Sequence, residues 1–181
     1  MSNEARFKNE LENLLLFKRV LDGDNVLPVR LEIERMSLDY RRFKVVINGI
    51  KSLTANPDGA RAGTGTGFNI LIEVPPGYPF TAIPNIKFEA PIPFHPHVFT
   101  DGRICWGTAN SPQPDLSLAD WIRQVLEYLT YNKDSLIKMN PSSPANRTAL
   151  DWWQLNKLMI SSYVTSIEMS RVRLLVSRTI Q

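Results

Sequence analysis

Residues 95–105 read His-Pro-His-Val-Phe-Thr-Asp-Gly-Arg-Ile-Cys and end on the single cysteine of the chain, Cys105. A histidine–proline step leads into an Asp-Gly turn, and the thiol follows shortly after that turn. The segment lies within residues 89–116, which contain five prolines and little hydrophobic periodicity. Long connections without regular structure are usually functional in compact domains, so we expect the functional site here.

The sequence before this segment predicts one helix followed by an antiparallel sheet. Apolar residues recur at helical spacing from Phe7 to Val20, with Ser2 as the N-cap. Alternating apolar residues then predict strands at Val29–Ile33, Phe43–Ile47 and Phe68–Val74, and a short fourth strand at Ile86–Phe88. The Gly- and Thr-rich stretch Asn56–Gly67 is expected to be a loose hairpin connection. Strands that follow one another without helical crossovers favour an antiparallel meander.

The sequence after Cys105 predicts helices. Apolar residues from Leu118 to Leu129 follow a helical period, with Ser117 as N-cap and Asp120 completing a capping box. Asn140-Pro141 indicates a turn. Ser143 is expected to cap a helix that has Pro144 at its first position and runs through Trp152 and Trp153. A last helix is expected from Tyr163 to about Arg178. These elements predict a single α+β domain over residues 1–181.

Composition limits the possible partners and compartments. The chain has 181 residues, a net charge of +3 and a pI of about 9.1. This weak basic balance does not argue for nucleic acid and is equally compatible with an acidic protein partner. We expect no membrane partner, because no apolar run approaches the roughly 18 residues of a membrane span. One cysteine cannot form an intramolecular disulfide and no signal peptide opens the chain, so we expect a reducing, cytoplasmic location.

The residues around Cys105 leave several kinds of site open. Free cysteine is often a buried, inert core residue. Arg103 and the two histidines close in sequence instead favour a thiolate nucleophile. A metal site formed with His95 and His97 lacks a second cysteine and a carboxylate cluster, and a cysteine protease lacks an orienting acid. A redox-sensing thiol is a further reading. The Gly63–Gly67 stretch lacks the Gly-Lys-Ser/Thr of a phosphate loop.

An ordered set of motifs resembles the ubiquitin-conjugating enzymes. The set comprises Tyr78-Pro79-Phe80 with Pro84, His95-Pro96-His97-Val98, Gly102-Arg103-Ile104-Cys105, Pro114 to Leu118, Asn140-Pro141, and Pro144-Ala145. In order, these resemble the family's Tyr-Pro-Phe-x-x-Pro, His-Pro-Asn, Gly-x-Ile-Cys, the loop before the next helix, Asn-Pro, and Asp-Pro-Leu/Ala. The resemblance covers about residues 5–153, and it leaves 154–181 as a C-terminal helical segment.

The resemblance implies a function and a set of site residues. Cys105 would accept a ubiquitin-like protein as a thioester from an activating enzyme and pass it to an amine or a ligase, without cofactor or metal. His97 would be catalytic, with His95, Pro96, Phe99, Asp101 and Ser143 supporting it. Arg6 and Lys8 on the first helix would meet the activating enzyme, and Phe80, Pro112 and Pro114 would meet a ligase.

Several positions depart from the family pattern, among them His97, Phe99 and Ser143. His97 replaces the asparagine of His-Pro-Asn, whose role is to steady the oxyanion or the local loop; a neutral imidazole N–H can also donate that hydrogen bond. Phe99 and Ser143 stand where other members have a tyrosine and an acidic residue that help deprotonate an attacking lysine. The acceptor is therefore expected to be an α-amine, a lysine activated by a ligase, or a ligase cysteine. A non-catalytic binding module of the same fold is the alternative.

Overall fold

The computed structural model describes residues 3–106, 111–131, 143–168 and 170–173. Within these ranges an N-terminal helix precedes four strands, and three named helices follow. The elements are α1 (Asn3–Asp22), β1 (Arg30–Arg35), β2 (Arg42–Ala55), β3 (Arg61–Glu73), β4 (Asn85–Phe88), α2 (Leu118–Leu129), α3 (Arg147–Asn156) and α4 (Ile160–Tyr163). This order confirms the predicted arrangement of a helix, a strand meander and C-terminal helices.

The four strands form one antiparallel sheet in the order β1-β2-β3-β4. In its regular part Leu31 lies opposite Ile47, and Ile47 lies opposite Phe68 on the next strand. These side chains are buried because alternate residues of a strand face the same side of the sheet. The alternation seen in the sequence therefore marks the face on which α1 and α2 pack.

Helix α2 lies at the centre of the main core. Ser117 caps it, and the Asp120 side chain accepts a hydrogen bond from the Ser117 backbone in return, so the predicted capping box is present. Trp121, Ile122 and Val125 are fully buried. Helix α2 therefore packs into the main core together with the sheet.

The prediction of a loose connection at Asn56–Gly67 is wrong. Strand β2 continues to Ala55 and β3 begins at Arg61, so the two strands form a long hairpin and only residues 56–60 make the turn. Glycine is poor in strands, which is why the sequence suggested a loop. Here glycine is needed: a Cβ on Gly65 would lie 2.9 Å from the Thr54 methyl group.

Two predictions about the C-terminal helices are also wrong. Helix α3 begins at Arg147, and its N-cap is Asn146 rather than Ser143, because the Asn146 side chain accepts the Ala149 N–H. Tyr163 ends the short helix α4, and Val164 to Glu168 are not helical. Residues 170–173 are helical. The expected N-cap Ser2, the Asn140-Pro141 turn and the helix end at Arg178 lie outside the described residues.

The C-terminal segment packs back onto the sheet and helices. Thr165 exchanges hydrogen bonds with the backbone of Lys51 on β2. Val172 is fully buried in the main core, and Arg171 forms an ion pair with Asp24. In the parts of the chain that the structure describes, no helix has the length and hydrophobicity required to cross a bilayer.

Candidate active site

The loop that carries Cys105 turns at a glycine that no other residue can replace without strain. Gly102 has φ of +88°, and a Cβ there would lie 2.1 Å from the carbonyl oxygen of Phe88 on β4. The Phe88 N–H donates to the Gly102 carbonyl at 2.8 Å. A second pair of hydrogen bonds closes the turn, from Gly102 N–H to Phe99 O and from Phe99 N–H to Arg103 O, each 2.9 Å. The turn is thus fixed to the edge of the sheet.

Cys105 follows this turn as a half-buried free thiol. Its N–H donates to the carbonyl of His97 at 2.7 Å, and Val98 pairs with Ile104 in an isolated β-bridge. The structure therefore brings the backbones of Cys105 and His97 together. The half-buried position argues against a fully buried, inert thiol.

His97 and His95 belong to a buried aromatic stack. Tyr128 of α2 stacks on the rings of His95 and His97, with centroid distances of 4.9 and 5.2 Å, and Tyr131 meets His95 edge-on at 4.9 Å. His95 is 0% exposed and His97 is 6% exposed. His95 Nδ1 accepts the N–H of His97 at 3.1 Å. This stack joins the loop to α2 through ring packing.

Burial keeps both imidazoles neutral. It lowers the pKa of His95 well below its ordinary value of 6.5, and the neighbouring His97 lowers it further. Burial also lowers the pKa of His97, while a hydrogen bond to the Cys105 backbone opposes that shift. Burial, followed by Cys105 and Glu127, raises the pKa of Tyr128, so this hydroxyl also stays neutral. The histidines therefore bring no positive charge to the thiol at pH 7.

The positive charge of Arg103 is likewise offset by a neighbouring carboxylate. Its guanidinium contacts the Asp101 carboxylate at 2.7 Å and lies 5.3 Å from the centre of the Phe99 ring. Hydrogen bonds from the backbone and then the side chain of Arg103 lower the pKa of Asp101, which is exposed and ionised. Phe99 and Asp101, both predicted as supporting residues, thus contact the Arg103 side chain. Arg103 is close to Cys105 in sequence, but its charge is paired with Asp101, so it favours the thiolate less than the sequence suggested.

A shallow groove lies beside the cysteine loop. Its lining comprises Ile83, Pro84, Asn85, Ile86, Phe99, Arg103, Ile104 and Trp106. Phe99 and Arg103 belong to the turn, and Ile104 and Trp106 flank Cys105 in sequence. The groove therefore presents a mainly apolar surface beside the loop that carries Cys105.

Asn146 connects three parts of the site, and the sequence did not single it out for that role. Its side chain donates to the Gly59 carbonyl at 3.0 Å and accepts the Ala149 N–H at 2.9 Å, while its backbone N–H donates to Pro96 O at 3.2 Å. It therefore joins the β2–β3 turn, the start of α3 and the His-Pro-His segment. An asparagine directly before an apolar helical pattern is the available sequence signal.

The predicted supporting residues near this connection have different positions. Pro96 is buried, and its carbonyl also accepts the Ala145 N–H at 2.9 Å. Ser143 is exposed and lies two residues before Ala145. Thr100 approaches the β2–β3 turn, since a Cβ on Gly59 would lie 2.9 Å from its methyl group.

The residues predicted to meet protein partners lie partly together. The Arg6 guanidinium carbon is 5.6 Å from the centre of the Phe80 ring, and Phe80 is 65% exposed. Tyr78, beside Phe80, donates its hydroxyl to Leu116 O at 2.6 Å. Lys8, Pro112 and Pro114 are exposed. The predicted activating-enzyme and ligase surfaces therefore touch at Arg6 and Phe80.

The described residues offer no set of metal ligands. In the ranges given above, no three His, Cys, Asp or Glu side chains lie close enough together to hold a metal ion. His95 uses Nδ1 to accept a backbone hydrogen bond. The donor set considered from the sequence, Cys105 with both histidines, is thus not assembled as a ligand cluster.

Comparison with known proteins identifies the family. The profile of the family described as ubiquitin-conjugating enzyme matches residues 36–167. The match covers more than half of the chain and includes the whole cysteine loop. The chain belongs to the ubiquitin-conjugating enzyme family, and the resemblance read from the ordered motifs is confirmed.

Individual relatives are distant. A protein described as a probable ubiquitin-conjugating enzyme E2 17, from Arabidopsis thaliana, is 28% identical over 109 residues, which cover 59% of this chain and 60% of the relative. The match thus spans less than two thirds of that relative. A solved structure described as a novel ubiquitin-conjugating enzyme is 22% identical, with a TM-score of 0.48 and coverage of 88% of this chain and 92% of that one. A Plasmodium vivax ubiquitin-conjugating enzyme E2 is 23% identical, with a TM-score of 0.45 and coverage of 68% and 98%.

Proposed function

We propose that this chain is an active transferase that carries a ubiquitin-like protein on Cys105. The Cys105 thiolate attacks the thioester carbonyl on an activating enzyme, and the thiolate of that enzyme leaves. An acceptor amine then attacks the new thioester, the Cys105 thiolate leaves, and the amine loses a proton. The observation that carries this proposal is the placement of Cys105, a half-buried residue with a free thiol, whose backbone N–H donates to the carbonyl of His97 at 2.7 Å.

The reachable thiol favours the enzyme over a non-catalytic binding module of the same fold. A binding module needs surface and no nucleophile. Here any residue other than glycine at position 102 would be strained. The turn that Gly102 forms leads directly into Cys105.

His97 is proposed as a positioning residue for the cysteine loop. The His97 carbonyl accepts the Cys105 N–H at 2.7 Å, and the ring stacks on Tyr128 of α2. A hydrogen bond with the Cys105 backbone also opposes the lowering of the His97 pKa by burial. Because these contacts tie the cysteine loop to α2, steadying of the loop is better supported than donation to an oxyanion. We expect His97→Asn, which keeps a donor, to restore discharge that His97→Ala lowers; equal discharge by His97→Ala and the unmodified protein would contradict this role.

The acceptor is proposed to be an α-amine or a ligase cysteine. Neither Phe99 nor Ser143 carries a general base, and the Asp101 carboxylate is occupied by Arg103. Free lysine has a pKa near 10.4, whereas an α-amine titrates near 8 and needs less help to lose its proton. We expect the charged protein to discharge faster to glycine amide than to Nα-acetyl-lysine at pH 7.5. The opposite order would overturn this choice of acceptor and leave the thioester chemistry intact.

The partners and setting follow from the same proposal. The partners are a ubiquitin-like modifier, an activating enzyme and a ligase, with the exposed Phe80 and the neighbouring Arg6 on the shared docking surface. The whole of residues 1–181 acts as one domain. A carrier with a free thiol works in a reducing compartment, so we propose the cytoplasm.

Charging is the test of this function. The protein is mixed with ATP, an activating enzyme and its modifier, and is then resolved on gels with and without reductant. We expect an adduct of one modifier that reductant removes, and Cys105→Ser to convert it to a reductant-stable ester. If no adduct forms while the activating enzyme is itself loaded, across the available modifiers, the proposal fails in favour of the binding module.

A further inference from the structure

One edge of β3 is open over about half of the strand. Strand β4 pairs with β3 only from Ile70 to Glu73, and Glu89 adds one hydrogen bond to the carbonyl of Asn69. Strand β3 itself begins at Arg61. In the part of the chain that the structure describes, no backbone group bonds to this edge between Arg61 and Phe68.

The hydrogen bonds on the far side of β2 show which groups point to the open edge. Phe94 N–H donates to Leu53 O, and Thr165 N–H donates to Lys51 O, both from the side away from β3. The N–H and C=O of one strand residue point to the same side. Leu53 and Lys51 therefore do not bond to their β3 partners, Thr64 and Thr66. The N–H and C=O of Thr64 and Thr66 must point away from β2, into the open edge.

Among the residues that the structure describes, nothing gives this edge the usual protection against pairing. Edge strands are normally blunted by charges, proline or cover from another segment. Residues 62–68 read Ala-Gly-Thr-Gly-Thr-Gly-Phe, without charge or proline, and Thr64 and Thr66 are exposed. The hairpin is also held in place, because Asn146 donates to Gly59 O and the Arg61 guanidinium lies over the rings of Trp152 and Tyr163. The backbone N–H and C=O groups of Thr64 and Thr66, which bond to no other described backbone group, are therefore preorganised.

The stretch of β3 without a partner strand can pair with a copy of itself about a twofold axis. Its ends are Arg61, where the β2–β3 register shifts, and Asn69, whose carbonyl is already used by Glu89. Gly65 is the midpoint. In an antiparallel pair related by a twofold axis at Gly65, Thr64 of one strand faces Thr66 of the other, and each such pair exchanges two hydrogen bonds. In this register the two Arg61 residues do not face each other, and the ladder ends before Asn69, whose outer position Glu89 already holds.

We propose that a second copy of this chain pairs with the open edge of β3 in this register and joins the two sheets into one. The partner must be an extended backbone, because backbone donors and acceptors are what the edge displays. In a second copy, the edge-facing groups of Thr64 and Thr66 already lie two residues apart. It can therefore pair without a change of conformation. The ladder is short, so the dimer is of the weak, concentration-dependent kind.

The first test compares the oligomeric state of the Thr64→Pro variant with that of the Thr64→Ala variant. Proline removes the edge-facing N–H and leaves the Gly63 and Gly65 bonds to β2, whereas alanine keeps that N–H. Sedimentation equilibrium over rising protein concentration is expected to show a dimer for the unmodified chain and Thr64→Ala, and a monomer for Thr64→Pro. Amide exchange at Thr64 and Thr66 should slow as concentration rises. A chain that stays monomeric with unprotected amides at millimolar concentration overturns the proposal, as does a folded Thr64→Pro that still dimerises.

Charge variants test the register independently and need no proline. Thr64→Glu with Thr66→Lys puts opposite charges across both symmetry-related pairs, and Thr64→Lys with Thr66→Lys puts like charges there. Two favourable cross-strand pairs should lower the dimer dissociation constant by about 2- to 30-fold, and the like-charged double variant should raise it similarly. Equal dissociation constants for the two double variants would overturn the register.

Discussion

Gly102→Ala isolates the turn that places Cys105. At φ of +88° an alanine enters the left-handed region, which costs about 1–2 kcal/mol. The new Cβ would also lie 2.1 Å from the Phe88 carbonyl oxygen and 3.0 Å from the Ile92 Cδ1 atom. The backbone has to move, and this breaks the 2.8 Å bond from Phe88 N–H to Gly102 O, worth about 1 kcal/mol. The unfolding free energy should therefore fall by roughly 2–3 kcal/mol.

The assay is thermal unfolding followed by circular dichroism. At about 2–4 °C per kcal/mol for a chain of this size, Tm should fall by roughly 4–12 °C. Gly63→Ala is the matched control, because a Cβ there meets nothing within 4 Å. Its Tm should stay equal or rise slightly. A Gly102→Ala protein with unchanged Tm, charged on Cys105 at the normal rate, would refute the assigned role of this turn.

Two further predictions concern the groups around the loop. Asn146→Ala removes the hydrogen bond to Gly59 O and the N-cap bond from Ala149, so urea unfolding should show a loss of about 2–3 kcal/mol, against a smaller loss for Asn146→Asp, which keeps the cap. A loss below 0.5 kcal/mol, roughly that of a surface change, would contradict the connection. His95 and His97 have folded-state pKa values below the ordinary 6.5, so the unfolded chain binds more protons as pH falls. The unfolding free energy should be constant from pH 8 to 7 and decrease below about 6.5, less steeply in His97→Asn; a flat profile to pH 5.5 would contradict neutral burial.

The sequence predicted those elements whose pattern depends on one face being buried. Helix α2 and the strand Phe68–Val74 were found because their apolar residues repeat at the period of the element that buries them. The resemblance of the ordered motifs to the family pointed to Cys105 and His97 as site residues. Such motifs are short and local in sequence, so they can be recognised without knowing the fold.

Other features depended on contacts distant in sequence. The Gly-rich half of β3 is a strand because it pairs with residues 51–55 of β2, which overrides the low strand propensity of glycine. Asn146 connects separate parts of the site through its hydrogen bonds to the carbonyls of Gly59 and Pro96, which are distant from it in sequence. The charge near Cys105 was misjudged because the burial of His95 and the pairing of Arg103 with Asp101 arise in the folded chain.

The most direct test of the central claim is to locate the bond between this chain and its modifier. The charged protein is isolated at low pH without reductant, digested with trypsin and examined by mass spectrometry. The account predicts that the peptide beginning at Ile104 carries the C-terminal residues of the modifier on Cys105, and that neutral hydroxylamine releases them. A modifier found only on lysine, or an adduct that persists unchanged in Cys105→Ala, would contradict the claim that Cys105 is the carrier.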